Sequence, residues 1–295
     1  MHRHLKRFVL AVALLACGLM LQVTAAAAQS RPSKLVVGLL PGESAPTVMR
    51  LNEPLRAYLE QRLGLPVELV VGANYAATGE ALRFGRLDIA YLGPVTYILR
   101  SRSARLEPFA RPSHQGVGPT FQAAIIVPAD SPARTLADLK GGEVAFGDPA
   151  STSGTWVPRY QLLEAGLISG RDYTLRVLGA HDAVALAVSN HKVAAGGLSL
   201  PIYERLLQEG KIDPKSVRVL AASPAIPEYM WTFRDGLDPA FKEEIREAFI
   251  HVSDPGTLKV FRAEAFIPCV DSDVDRVRNW IEAIGRANPD AVPGP

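Results

Sequence analysis

The run LVVGLLPGESAPTVMRLNEPLRAYLEQRLGLPVELVV, residues 35–71, carries in one piece both periodicities from which the fold is built. Leu35 to Leu40 is a short apolar run closed by Pro41 and Gly42, which reads as a buried strand. Val48, Leu51, Leu55, Leu59 and Leu63 then recur at three- and four-residue spacing, one face of a helix that Gly64 ends. Val67 to Val71 is a second buried strand. Strands that are apolar throughout, joined by a helix, predict a parallel sheet covered on both faces.

The alternation continues with a helix over Ala76 to Phe84, a strand at Asp88 to Leu92 and a helical stretch after Pro94. It restarts with a strand at Gln122 to Val127, a short helix near Leu136 to Leu139 and a strand at Val144 to Phe146. A helix (Thr155 to Ala165), strand (Thr174 to Leu178), helix (Ala183 to Ser189), strand (Lys192 to Leu198) and helix (Ile202 to Gln208) follow. Strands at Val217 to Ala221 and Trp231 to Phe233, then helices at Pro239 to Val252 and Asp273 to Ala287, complete the chain. The expected fold is α/β and bilobed, with residues 29–120 plus 224–295 in lobe 1 and 121–223 in lobe 2. Ligands of such sheets bind at the carboxyl ends of the strands, so a cleft between the lobes is the expected site.

Residues 1–28 stand apart from this pattern. Arg3, Lys6 and Arg7 precede an apolar run from Phe8 to Val23, and Ala25 to Ala28 supply an Ala-x-Ala site before Gln29, the three parts of a secretory signal peptide. A retained anchor is the weaker reading, because the run is shorter than the ~20 residues that span a bilayer. A lipoprotein signal ending at Cys17 is a third reading, opposed by the apolar residues that continue past it. An exported protein without an internal disulfide fits a bacterial periplasm, the expected location.

Of the 295 residues 48% are hydrophobic and 21% charged, which excludes a disordered or low-complexity chain. Loss of the leader removes three positive charges and no negative one and takes the net charge from +2 to −1, so no basic surface argues for nucleic acid. Only Cys269 remains, unable to form an internal disulfide and read as a buried apolar residue.

The stretch GDPASTSG, residues 147–154, joins a strand to a helix and packs three hydroxyls between two glycines. A helix N-cap needs one hydroxyl; Ser151, Thr152 and Ser153 together, beside the unpaired amides of a helix N-terminus, suit an anion. No lysine follows the second glycine, so the segment is no P-loop. His114, His181, His191 and His251 show no metal-ligand spacing, and no Gly-x-Ser-x-Gly elbow occurs, so neither a metal, a cofactor nor a catalytic residue is expected. A hydrolase using Ser151 or Ser153 with His181 stays open as an alternative.

With GDPASTSG, the run EALRFGRLDIAYLG (residues 80–93), Tyr75, the Asp130-Ser131-Pro132 turn with Leu136 to Gly141, and His181 with Ala185 to Asn190, the chain resembles the periplasmic binding proteins of phosphonate and phosphite ABC transporters. The resemblance covers nearly the whole mature sequence. It implies a type II periplasmic-binding-protein fold and an oxyanion held by Tyr75, Ser151, Thr152, Ser153 and His181, with Tyr91, Phe121, Gly154 and Tyr229 on the cleft wall. It also implies a membrane permease as partner and a monomer. Sensing through a membrane histidine kinase is the rival role.

Departures from the family pattern narrow the ligand. The two carboxylates that receive an ammonium in aminoalkylphosphonate binders align with Pro201 and the neighbourhood of Tyr229, where Glu228 is the nearest acid. Ala194 replaces a usual aspartate, and Phe121 and Ala123 replace a tyrosine and a serine. An unpaired ammonium in a closed cleft costs several kcal/mol, so the expected ligand is an amine-free oxyanion such as phosphite, phosphate or methylphosphonate.

Overall fold

In the computed structural model, which describes residues 31–289, the opening run forms β1 (Leu35–Leu39), α1 (Ala45–Leu63) and β2 (Val67–Val71), with β1 and β2 parallel. The signal segment, its cleavage site and Cys17 lie outside the described residues. α1 buries Leu55, Leu59 and Leu63 and stops at Gly64, whose φ of 66° is the left-handed conformation that glycine adopts without a Cβ clash. The chain continues as α2 (Tyr75–Arg83), β3 (Ile89–Leu92), α3 (Pro94–Ser101) and β4 (Glu107–Ser113).

It crosses over at β5 (Thr120–Phe121) and builds β6 (Ala123–Pro128), β7 (Glu143–Gly147), α4 (Val157–Glu164), β8 (Thr174–Gly179), α5 (His181–Ser189), β9 (Ala195–Ser199), α6 (Leu200–Gln208) and β10 (Val217–Ala222). It returns through β11 (Ile226–Pro227) to β12 (Met230–Phe233), α7 (Pro239–Ile250), α8 (Pro255–Val260), β13 (Ala265–Pro268) and α9 (Asp275–Ala287). One sheet has the order β13-β4-β12-β3-β1-β2 and the other β10-β6-β9-β7-β8. The outgoing and returning connections pair with each other, Phe121 opposite Ile226.

Both sheets are mixed, where the apolar strands predict parallel ones. β1, β2 and β3 are parallel, as are β7, β8 and β9, but β12 runs antiparallel to β3 and β4, and β6 antiparallel to β9 and β10. The reason is topological: β6 and β12 are entered from the other lobe, and only a crossover within one sheet imposes the parallel βαβ unit. β4 and β13 escape the sequence reading because Pro108, Pro112 and Pro268 argue against strands. Pro108 is accommodated beside a register shift between Trp231 and Thr232, where the ladder is already interrupted.

The first sheet packs an aromatic core in which Phe109 stacks on Phe233 with centroids 3.9 Å apart and Trp231 and Phe249 lie alongside. Ile125, Val127, Val144, Phe146 and Leu162 fill one face of the second sheet, all at 0% exposure. α9 joins the two, packing on both α3 and α4 with Trp280 stacked on Tyr160 at 5.4 Å. Among the described residues no helix is long and apolar enough to cross a membrane, and Cys269 is a buried free thiol whose pKa burial pushes up to about 12.

Candidate anion-binding cleft

The loops that follow β1, β2 and β3 meet those that follow β7, β8 and β9, as the strand-end rule requires. Tyr75 opens α2, and its backbone N–H donates to Asp148 Oδ2 in the opposite lobe at 3.0 Å. The Asp148 carboxylate also accepts from Ala150 N–H at 2.8 Å, and its carbonyl accepts from Ser151 N–H and the Thr155 hydroxyl, each at 2.8 Å, so the loop is tied into one shape.

From Thr152 to Trp156 the chain makes a single wide π turn before running on into α4, an irregularity common where a helix serves a site. Ser151 Oγ accepts from Gly154 N–H at 3.0 Å and caps that turn. Thr152 Oγ1 accepts from Val95 N–H at 3.0 Å, across the cleft. Ser153 Oγ is wholly buried and makes no well-formed hydrogen bond, the Tyr229 phenol facing it without bonding geometry, a cost that a bound acceptor would relieve. First-turn amides such as those of Thr152 and Ser153 find no acceptor inside the helix.

His181 is the first residue of α5 and only 2% exposed. Its backbone N–H donates to Gly42 O at 3.0 Å, and its ring Nδ1 accepts from Ser199 N–H at 3.3 Å. The proton of the neutral ring therefore sits on Nε2, which is a donor. Burial lowers the His181 pKa to about 4.

That shift gives a stability prediction. The unfolded chain takes up a proton on this histidine below pH 6.5 while the folded form refuses it down to about 4. The stabilising effect of a neutral His181 is thus complete above pH 6.5 and lost as the pH falls through 4, by about 3 kcal/mol. Stability measured from pH 7.5 to 4 should fall more steeply in the wild type than in His181→Gln; parallel curves would contradict a buried, neutral imidazole.

Two tyrosines complete the arrangement. Burial drives the Tyr229 phenol up to about 12, while the facing hydroxyls of Ser153, Tyr75 and Ser151 draw it down. Tyr75 is 2% exposed, and its phenol is raised by burial, by the Tyr229 phenol and by the Asp148 carboxylate, and lowered by Ser151. Three glycines leave the room these groups need. A Cβ on Gly42 would stand 3.0 Å from the Tyr75 phenol oxygen, one on Gly93 2.8 Å from the Tyr229 ring, and one on Gly154 2.9 Å from both His181 Cε1 and Ser151 Oγ.

The residues expected from the sequence are thus distributed as follows. Tyr75, Ser151, Ser153 and His181 come together with Tyr229 and Gly154, and Phe121 sets its edge on the Tyr229 ring at 5.7 Å. Thr152 reaches the opposite lobe. Tyr91 packs its ring against Tyr229 at 5.4 Å and donates its phenol to Glu228 Oε1 at 3.2 Å. Glu228 also meets His114 Nε2 at 3.1 Å and accepts from Tyr229 N–H at 3.2 Å, so its carboxylate is engaged. Asp148, Gly42 and Gly93 stand in the runs quoted above but without these roles, and Ser199 escapes the sequence reading; their one signal is position, at or just past the ends of apolar strands. Among the described residues no group of His, Cys, Asp and Glu is arranged to hold a metal.

Two α/β lobes closing on a buried array of neutral donors define a ligand-binding protein of the type II periplasmic class. A family model described as "ABC transporter, phosphonate, periplasmic substrate-binding protein" matches residues 37–274, and the chain belongs to this family. It is 26% identical to the phosphate-import protein PhnD of Mycolicibacterium smegmatis over 285 residues, covering 88% of each chain. It is 28% identical to the phosphonates-binding periplasmic protein of Escherichia coli over 228 residues, 76% of this chain and 68% of that one. The crystal structure of a binding-protein component of an ABC phosphonate transporter from Pseudomonas aeruginosa superposes with a TM-score of 0.80 at 23% identity, covering 90% of each chain, and supports the fold.

Proposed function

We propose that this protein, exported by residues 1–28, captures a small amine-free phosphorus oxyanion in the periplasm and delivers it to the permease of an ABC transporter. Phosphite, phosphate and methylphosphonate are the candidates. The reading rests on the Ser153 hydroxyl, buried and without a well-formed hydrogen bond amid the Tyr75, Tyr229 and Ser151 hydroxyls. With the neutral His181 Nε2–H these donors come from both lobes, so an anion touching all of them favours the closed form. Residues 29–120 with 224–295 and residues 121–223 are the two bodies that move, hinged at the paired β5 and β11. The amine is excluded because Glu228 is already held by Tyr91, His114 and the Tyr229 amide. The family assignment, to substrate-binding proteins, favours capture over hydrolysis.

The test is a thermal-shift and calorimetry panel on mature protein refolded to strip carried-over ligand. Phosphite, phosphate, methylphosphonate, 2-aminoethylphosphonate and sulfate form the panel. One amine-free phosphorus anion at 100 times its Kd should add about 2.7 kcal/mol, and Ser153→Ala should abolish the response. A tight response to 2-aminoethylphosphonate overturns the exclusion of amines, and silence to all phosphorus anions overturns the ligand class.

A further inference from the structure

We infer that the loop 148–152 is a clamp that holds the lobes shut through helix N-termini of the opposite lobe, and that Thr152 and Asp148 set affinity by positioning, leaving discrimination between anions to their neighbours. The inference rests on the binding-protein reading above and adds a division of labour within its loop.

The argument begins with α2 and α3, whose first-turn amides need acceptors. The N-cap of α3 is Gly93, which has no side chain to offer, and Pro94 follows at the first helical position. A capping residue cannot be placed there, because a Cβ on Gly93 would run into the Tyr229 ring at 2.8 Å. The acceptor comes instead from the other lobe, as Thr152 Oγ1 takes the Val95 N–H at 3.0 Å. One residue further along, the Thr96 hydroxyl donates to Ala150 O at 3.0 Å. At α2 the N-cap Asn74 accepts from Ala77 N–H, and the amide of Tyr75 is satisfied across the cleft by Asp148 Oδ2 at 3.0 Å.

Three hydrogen bonds thus join one five-residue loop to two helix starts. Thr96, Thr152 and Asp148 are all buried, at 1%, 0% and 5% exposure, so water does not compete for these bonds while the cleft is shut. When it opens, all three break together and the helix amides return to water. The same loop presents Ser151 and Ser153 to the cluster with Tyr75 and Tyr229. Ligand contact and lobe contact therefore alternate along the loop, and each reinforces the other.

The experiment compares Thr152→Val, Thr152→Ser and Thr96→Val with the wild type. Thr96 lies in the lobe opposite the loop and outside the hydroxyl cluster, so it reports on the clamp alone. Thr152→Val and Thr96→Val should each weaken every anion that binds by about the same factor, near tenfold, through faster release with unchanged association. Thr152→Ser should restore wild-type affinity. The melting midpoint of the stripped protein should move far less than that of the liganded protein, since only the minor closed population of stripped protein makes these bonds. A changed ranking of the anions would show that Thr152 selects ligand and overturn the clamp; an equal fall in the midpoint of stripped protein would make it a plain structural contact and overturn it likewise. Spin labels on the two lobes keep the test independent of ligand identity. In stripped protein, Thr152→Val and Thr96→Val should reduce the population at the closed distance relative to the wild type. Identical distance distributions overturn the clamp even if no anion of the panel binds, in which case the ligand reading fails separately.

Discussion

Gly154→Ala is expected to abolish ligand binding, lowering affinity at least a thousandfold, with a loss of about 1–3 kcal/mol in the stability of the fold, since the clash lies within one lobe. The added Cβ would lie 2.9 Å from His181 Cε1 and 2.9 Å from Ser151 Oγ, closer than real Cβ contacts come. Neither neighbour can yield cheaply. The His181 ring is held at Nδ1 by the Ser199 amide and is 2% exposed, and Ser151 Oγ is the acceptor of the Gly154 amide itself. Overpacking of this kind costs about 1–3 kcal/mol where the surroundings cannot rearrange. Here the groups displaced are the donors themselves, so the effect on affinity exceeds the effect on stability. Calorimetry with the best anion of the panel, together with the melting midpoint of stripped protein, checks both parts. Binding within tenfold of wild type would show that the hydroxyl cluster is not where the anion sits.

Arg205→Met is the second large effect, with affinity for every ligand expected to fall about a hundredfold at pH 7.5. Arg205 on α6 pairs with Glu43, in the loop between β1 and α1 of the other lobe, and also reaches Glu209 at 2.9 Å. Burial raises the Glu43 pKa, and the Arg205 guanidinium works against it by hydrogen bond and charge. Without Arg205 the closed cleft would hold a carboxylate at 9% side-chain exposure and no counter-charge, whereas the open form returns it to water. Leaving one partner of a buried pair alone costs about 3–5 kcal/mol, and protonation of Glu43 caps part of that. Two signs follow. The defect should shrink as the pH falls toward 5, because a neutral Glu43 needs no partner, and Glu43→Gln added to Arg205→Met should recover most of the affinity. A defect that ignores pH and survives the second substitution would place the role of Arg205 in packing, not charge.

Much of the fold is legible in residues 35–71 alone. Short apolar runs bounded by Pro and Gly read as buried strands, and the three-and-four spacing from Val48 to Leu63 reads as a helix with one buried face, because each pattern follows from backbone geometry within a few residues. Direction was not legible: β6 and β12 read like their parallel neighbours, yet a strand entered from the other lobe runs the opposite way. β4 and β13 were hidden by prolines, of which Pro108 stands beside an irregularity of the ladder and Pro268 at its end. In the site, Ser151 to Ser153 stood out because three consecutive hydroxyls exceed the need of one cap, and His181 and Tyr75 entered through the family resemblance.

By itself, then, the amino-acid sequence determined the alternation of strand and helix and the run of three hydroxyls in the loop at 147–154, both of which depend on neighbours in the chain. Only the tertiary structure decided which hydroxyl is spent on what. Thr152 looks the same as Ser153 in sequence, but one meets the Val95 amide of the opposite lobe and the other is buried without a well-formed hydrogen bond. Glu228 reads as an acid beside the cleft until Tyr91 and His114 are found on it. Tyr229, Gly42 and Gly93 acquire their roles from contacts between segments more than thirty residues apart, and such contacts leave no local periodicity to read.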